Sequence, residues 1–215
     1  MSVASHSPRK PRRLPARGLS WLLGAYLLFS LMLLGWGGAK LLAIHRLLGG
    51  AGSPARLEEL EVNESTVVLA QALVGLVIVF VFSRWLYRAA AAAQATGEMT
   101  FSPGWAVGWF FVPVLNLYRP YQVLAELWRA SAGRRGADRS AAPVVLRLWW
   151  LCWVLRILVE LALSWQGRQM TMAGAADLAT NLIQTQLTLL GALLDLPLAV
   201  TALLLVRRIT ARQAR

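Results

Sequence analysis

Four long stretches of the chain are almost free of charge, and each is bracketed by polar or basic residues. Residues 18–39 lie between Arg17 and Lys40, and residues 65–83 between Glu64 and Arg84. Residues 141–165 contain Arg147, Arg156 and Glu160, and residues 178–206 contain Asp195 and end at Arg207–Arg208. At ~1.5 Å per residue the first run reaches ~33 Å, enough to cross the hydrocarbon core of a bilayer. A signal-peptide core is ~7–15 residues long, and no A-x-A site follows here, so this run reads as a retained helix. The pattern predicts an all-α membrane protein with four transmembrane helices, at residues 18–44, 65–88, 143–165 and 180–206. They make a single membrane domain, residues 18–208, between a basic Pro-rich tail, residues 1–17, and a short C-terminal tail, residues 209–215.

One hydrophobic segment does not fit a span. Residues 101–131 read FSPGWAVGWFFVPVLNLYRPYQVLAELWRAS, uncharged from Ser102 to Tyr118. Pro113 removes a helical hydrogen bond in its middle and Pro120 stops a continuation. The expectation is a broken aromatic element between helices 2 and 3, re-entrant or interfacial, packed on the four helices because irregular backbone at that depth must be covered. Ser102-Pro103-Gly104 is a helix-start signal. Trp105 and Trp109 share a face at i, i+4. From Pro120 onward, Val123, Leu124, Leu127 and Trp128 form an apolar stripe opposite Gln122, Glu126 and Arg129. Such an element is either an interfacial anchor or a docking surface for a cytoplasmic partner.

The motif residues of this element are Pro103, Gly104, Trp105, Trp109, Pro113, Asn116, Arg119, Pro120, Tyr121, Glu126, Trp128 and Arg129. Their combination, PGWAVGWFFVP, then NL, RPY and ELWRAS, resembles the hallmark of a bacterial integral membrane family, domain-of-unknown-function family 4328. The resemblance implies a multi-pass membrane protein with a four-helix layout. It brings no activity, cofactor or catalytic residue.

Charge gives the orientation. Of the 22 basic residues, 17 fall in the N-terminal tail, the stretch 84–147 and the C-terminus. The opposite side holds Lys40, Arg46, Arg56 and Arg168 among Glu58, Glu59, Glu61, Glu64 and Asp177. The positive-inside bias therefore predicts a multi-pass protein of the cytoplasmic (plasma) membrane with both termini cytoplasmic. Trp21, Trp36, Trp85, Trp149, Trp150 and Trp165 lie near span ends, where an aromatic belt is expected. A net charge of +12 is the footprint of nucleic-acid binders, but here the basic residues flank hydrophobic runs, so no nucleic-acid partner is expected. A hydrophobic content of 57% with 15% charged residues also argues against a soluble domain.

Ionisable residues inside spans invite a functional reading, since each is expensive to insert. Arg156 and Glu160 are i, i+4 on the third span, in a stripe that runs from Cys152 to Ser164. The fourth carries a polar seam, Asp177, Asn181, Gln184, Thr188, Gly191 and Asp195, expected to face protein or water. Counted from the cytoplasmic anchors, Arg156, Glu160 and Asp195 lie ~13.5, ~19.5 and ~18 Å deep, which puts them at similar depth if the helices are neighbours. One Arg between two carboxylates leaves a charge of −1, so a carboxyl is protonated or a cation is recruited. The candidate intramembrane cluster is Arg156, Glu160, Asp195, Gln184 and Thr188. It is either a structural ion pair that fixes helix register or a proton- or cation-coupled site, with Pro197 as a potential gate.

No catalytic constellation is found: there is no G-x-x-x-x-G-K-[ST], G-x-S-x-G or H-E-x-x-H. One cysteine and two histidines leave no metal set and no disulfide, and no cofactor is expected. The leading expectation is a non-enzymatic scaffold or regulator in the lipid bilayer, acting through its cytoplasmic loop on a protein partner or as a homo-oligomer. The alternative is a small proton- or cation-coupled transporter or channel that uses the intramembrane cluster.

Overall fold

A computed structural model describes residues 16–131, 143–173 and 177–213. The tail before residue 16 and the loop arginines Arg134, Arg135 and Arg139 lie outside the described residues. The regular elements among them are all helices: α1 (Ala16–Leu48), α2 (Pro54–Ala95), α3 (Pro103–Gly108), α4 (Arg119–Ala130), α5 (Val144–Ala173) and α6 (Leu178–Gln213). Two single 3₁₀ turns, Trp109–Phe111 and Leu115–Leu117, join α3 to α4. Three helices, α1, α2 and α6, are long and apolar enough to cross a membrane. The fourth long helix, α5, is 30 residues and carries the charges Arg147, Arg156 and Glu160.

The helices run past the boundaries expected from charge. Residues 54–64, expected outside the second span, form the start of α2, which reaches 42 residues, or ~63 Å. The reason is local: Leu57, Leu60, Glu64 and Val67 recur at helical spacing and are all buried, and Pro54 sits in the first turn where it lacks no partner. Lys40 lies inside α1, which continues past residue 44 to Leu48. It is 4% exposed and its Nζ lies 2.8 Å from Glu64 Oε2 and 3.8 Å from Glu61, so a buried charge pair ties α1 to α2 beyond their apolar runs. At the head of α6, Asp177 Oδ1 accepts the Thr180 amide at 2.8 Å. Thr180 holds the Asp177 carboxyl below its usual range through these hydrogen bonds.

Laterally the long helices follow the order α2–α1–α6–α5. The two outer helices pack on α1 and α6 rather than on one another. The main core lies at one end, the end that carries Arg84, Arg88, Arg119, Arg207 and Arg208. There α3, α4 and the 3₁₀ turns form a cap whose Ala106, Val123, Leu124, Leu127 and Trp128 meet Leu86 and Ala90 of α2, Leu146 of α5 and Ile209 of α6. Trp85 and Trp149 are 1% and 4% exposed and belong to this core, not to an aromatic belt. They were expected at the bilayer surface because they flank apolar runs, but the cap covers them. Trp21 and Trp165, by contrast, are exposed.

Candidate functional site

Two neighbouring arrangements define the candidate site: a charge cluster midway along the bundle and the cap at its basic end. In the cluster, Arg156 Nε lies 2.9 Å from Asp195 Oδ1 and its Nη1 2.5 Å from Glu160 Oε1. Gly191, one turn before Asp195, lies against the guanidinium, and a Cβ there would meet Arg156 Cζ at 3.4 Å, in ordinary contact. Gln71 Nε2 donates to Asp195 Oδ2 at 3.4 Å and to Ser30 Oγ at 2.8 Å. The Tyr26 hydroxyl interacts with both Asp195 and Arg156. All four long helices therefore meet in one polar network, with Asp195 1% exposed at its centre.

The structure brings together Arg156, Glu160 and Asp195, but not the whole candidate set. Gln184 and Thr188 are half-buried and lie ~16.5 and ~10.5 Å before Asp195 along α6, away from the cluster. Beside that seam Thr185 is fully buried, and its hydroxyl donates back to Asn181 O at 2.8 Å. Glu160 does not turn inward as its stripe suggested; its side chain is 56% exposed and reaches back along α5 to Arg156. Pro197 is carried inside a continuous α6. Tyr26, Ser30 and Gln71 carry no charge and do not stand out in their apolar runs as the charged members do. The visible signal was an amide, Gln71, in the middle of an otherwise apolar run.

Beside the cluster lies a cavity of about 290 Å³. Tyr26 and Asp195 stand at its inner end, and its walls are almost wholly aliphatic and aromatic, including Ile78, Phe82, Trp153 and Ala202. Phe110 and Phe111 of the cap close its basic end.

In the cap itself, Ser102 caps α3 by accepting the Trp105 amide at 3.4 Å, and Trp105 stacks on Trp109 with centroids 4.5 Å apart. Arg119 Cζ lies 5.2 Å from the Trp109 ring, 5.5 Å from Tyr118 and 5.9 Å from Phe101, and Nη1 donates to Gln122 Oε1 at 3.0 Å. Two indole donors bind the cap to α5: Trp150 Nε1 to Leu117 O at 2.7 Å and Trp153 Nε1 to Asn116 Oδ1 at 3.3 Å. Tyr121 packs on Trp150 at 5.7 Å. Glu126 Oε1 accepts both the amide and the hydroxyl of Thr100, at 2.5 and 2.7 Å. Arg212 of α6 lies 3.7 Å over the Trp128 ring. Pro120 opens α4, and Arg129 Nε donates to Ala125 O at 3.2 Å. Gly104 is exposed at the start of α3, and Pro113 is exposed in the turn between the two 3₁₀ turns. The motif residues thus form one small structural unit.

Among the described residues the chain combines three helices long and apolar enough to cross a membrane with a buried charge network and an aromatic cap, an architecture compatible with a membrane protein. The family model for the domain of unknown function DUF4328 matches residues 49–211. The chain belongs to that family. The match takes in α2 to α6 and the cap, and begins just after α1. No curated protein and no solved structure matches the chain. Among the described residues, no group of three His, Cys, Asp or Glu side chains is placed to hold a metal ion.

Proposed function

We propose that the chain is a four-span protein of the cytoplasmic membrane, with α5 as the additional span and both termini on the cytoplasmic side, and that it is a non-enzymatic scaffold or regulator working through its cap. The charge asymmetry along the sequence supports the orientation. The cap carries the functional reading. It is a rigid, densely hydrogen-bonded unit that nevertheless exposes Trp105 (55%), Phe111 (62%) and Val114 (72%) beside Arg119. A patch of this kind, held on a scaffold, marks an interaction surface. Its apolar members seat the cap at the headgroup level of the cytoplasmic leaflet, and its basic edge is left for a protein partner or a second copy of the chain.

The experiment is a photo-crosslinking amino acid at Trp105, compared with one at Leu158 on α5, in the intact membrane. A discrete protein adduct at Trp105 alone supports the reading, and its mass separates a partner from a second copy. Lipid and background only, at both positions, would count heavily against it.

The transport alternative rests on Asp195 at the wall of the cavity. Its weakness is that both carboxylate oxygens of Asp195 are engaged, and the cavity beside it is apolar. It would gain support only from a pH-dependent flux that Asp195→Asn removes.

A further inference from the structure

The cavity is lined by four of the long elements and by the cap, yet α2 and α5, which flank it, do not pack on one another. Its rim residues Val79 and Phe111 are 45% and 62% exposed. With the helices in a bilayer, as proposed above, that gap faces hydrocarbon. From Asp195 to Val206, both in its wall, α6 advances eleven residues or ~16.5 Å, about the depth of one leaflet of a ~30 Å core. The slot thus begins at mid-membrane and ends under the cap. An α-helix with side chains is ~10–12 Å across and does not fit into about 290 Å³ over that length, so neither a second copy nor a partner helix fills it. Arg84 is exposed directly after the lining residue Ser83 at the basic end, where a phosphate would lie.

From this geometry we infer that the slot is a lateral binding site for one acyl chain of an anionic phospholipid of the basic-side leaflet. The chain enters between α2 and α5, its terminal methyl approaches Tyr26 and Asp195, and its headgroup rests at the arginine-bearing end. The wall matches this occupant in both length and polarity. The inference rests on the membrane reading of the preceding section, but not on the scaffold role of the cap.

The test uses the full chain in vesicles of phosphatidylethanolamine and phosphatidylglycerol, doped with a phosphatidylglycerol that carries a diazirine in its acyl chain. After irradiation, adducts are mapped on slot residues (Ile78, Phe82, Ala202) and on outward residues (Leu73, Leu158, Leu193). Slot adducts should exceed outward ones in the wild type. They should fall several-fold in Ala202→Phe, which fills the slot, while outward adducts stay the same and report an intact fold. Outward adducts alone, or slot adducts unchanged by Ala202→Phe, would overturn the site. Adducts nowhere would overturn the membrane reading as well, so the two failures are distinguishable. The wild-type ratio decides the matter even if the variant does not fold. A phosphatidylcholine carrying the same chain should label the slot less, and equal labelling would overturn the anionic preference.

Discussion

Asp195 holds its place because partners from other helices satisfy it: Arg156 on one oxygen and Gln71 on the other. Removing one member of a buried pair leaves the other charge stranded, at ~3–5 kcal/mol, whereas replacing both by apolar residues is often neutral. Arg156→Leu should therefore lower the thermal unfolding midpoint in detergent sharply, and Arg156→Leu with Asp195→Leu should recover most of the loss. A double variant as unstable as the single one would mean that the network does more than balance charge. At this scale the sequence exposed the charged members, because Arg, Glu and Asp stand out in apolar runs and their depth follows from helical rise. It concealed Tyr26 and Ser30, since a hydroxyl in a membrane helix is common and can bond its own backbone, as Ser30 does to Tyr26 O at 3.1 Å.

Elements were legible where apolar runs are long and where Pro marks a start, as in α3 and α4. They were misjudged where polar residues continue a helix. The glutamates before residue 65 read as outside the second span, but Glu64 is paired with Lys40 of α1, so α2 begins eleven residues earlier, at Pro54. The cap was readable as broken and aromatic from Pro113 and Pro120. Which residues fasten it was not, because each fastening spans distant sequence. The Thr100–Glu126 clasp is one such contact. Glu126→Ala removes both of its hydrogen bonds, for a local loss of ~1–3 kcal/mol. Amide exchange should then quicken across residues 98–103 with little change in the global unfolding midpoint. Protection unchanged in that segment would show that the α2–α3 packing alone holds it.

For the whole molecule, the lateral order α2–α1–α6–α5 could not be read from the chain. Hydropathy gives the number and length of apolar helices but carries no information on which faces meet. Orientation, by contrast, has a sequence signal strong enough to test. Ala51 lies between α1 and α2, and Ala95 closes α2 at the opposite, basic end. With Cys152 as the single native cysteine, a Cys152→Ser background leaves no competing thiol. In that background Ala51→Cys should react with a membrane-impermeant maleimide on intact cells, and Ala95→Cys only after permeabilisation. The two positions are 44 residues apart with α2 between them, so labelling of both from the same side would mean that α2 does not span. A reversed pattern would keep the span and invert the protein. The cap and its arginines would then face away from the cytoplasm, against the bias that places basic residues inside. Only the forward pattern puts the basic edge of the cap where a cytoplasmic partner can reach it.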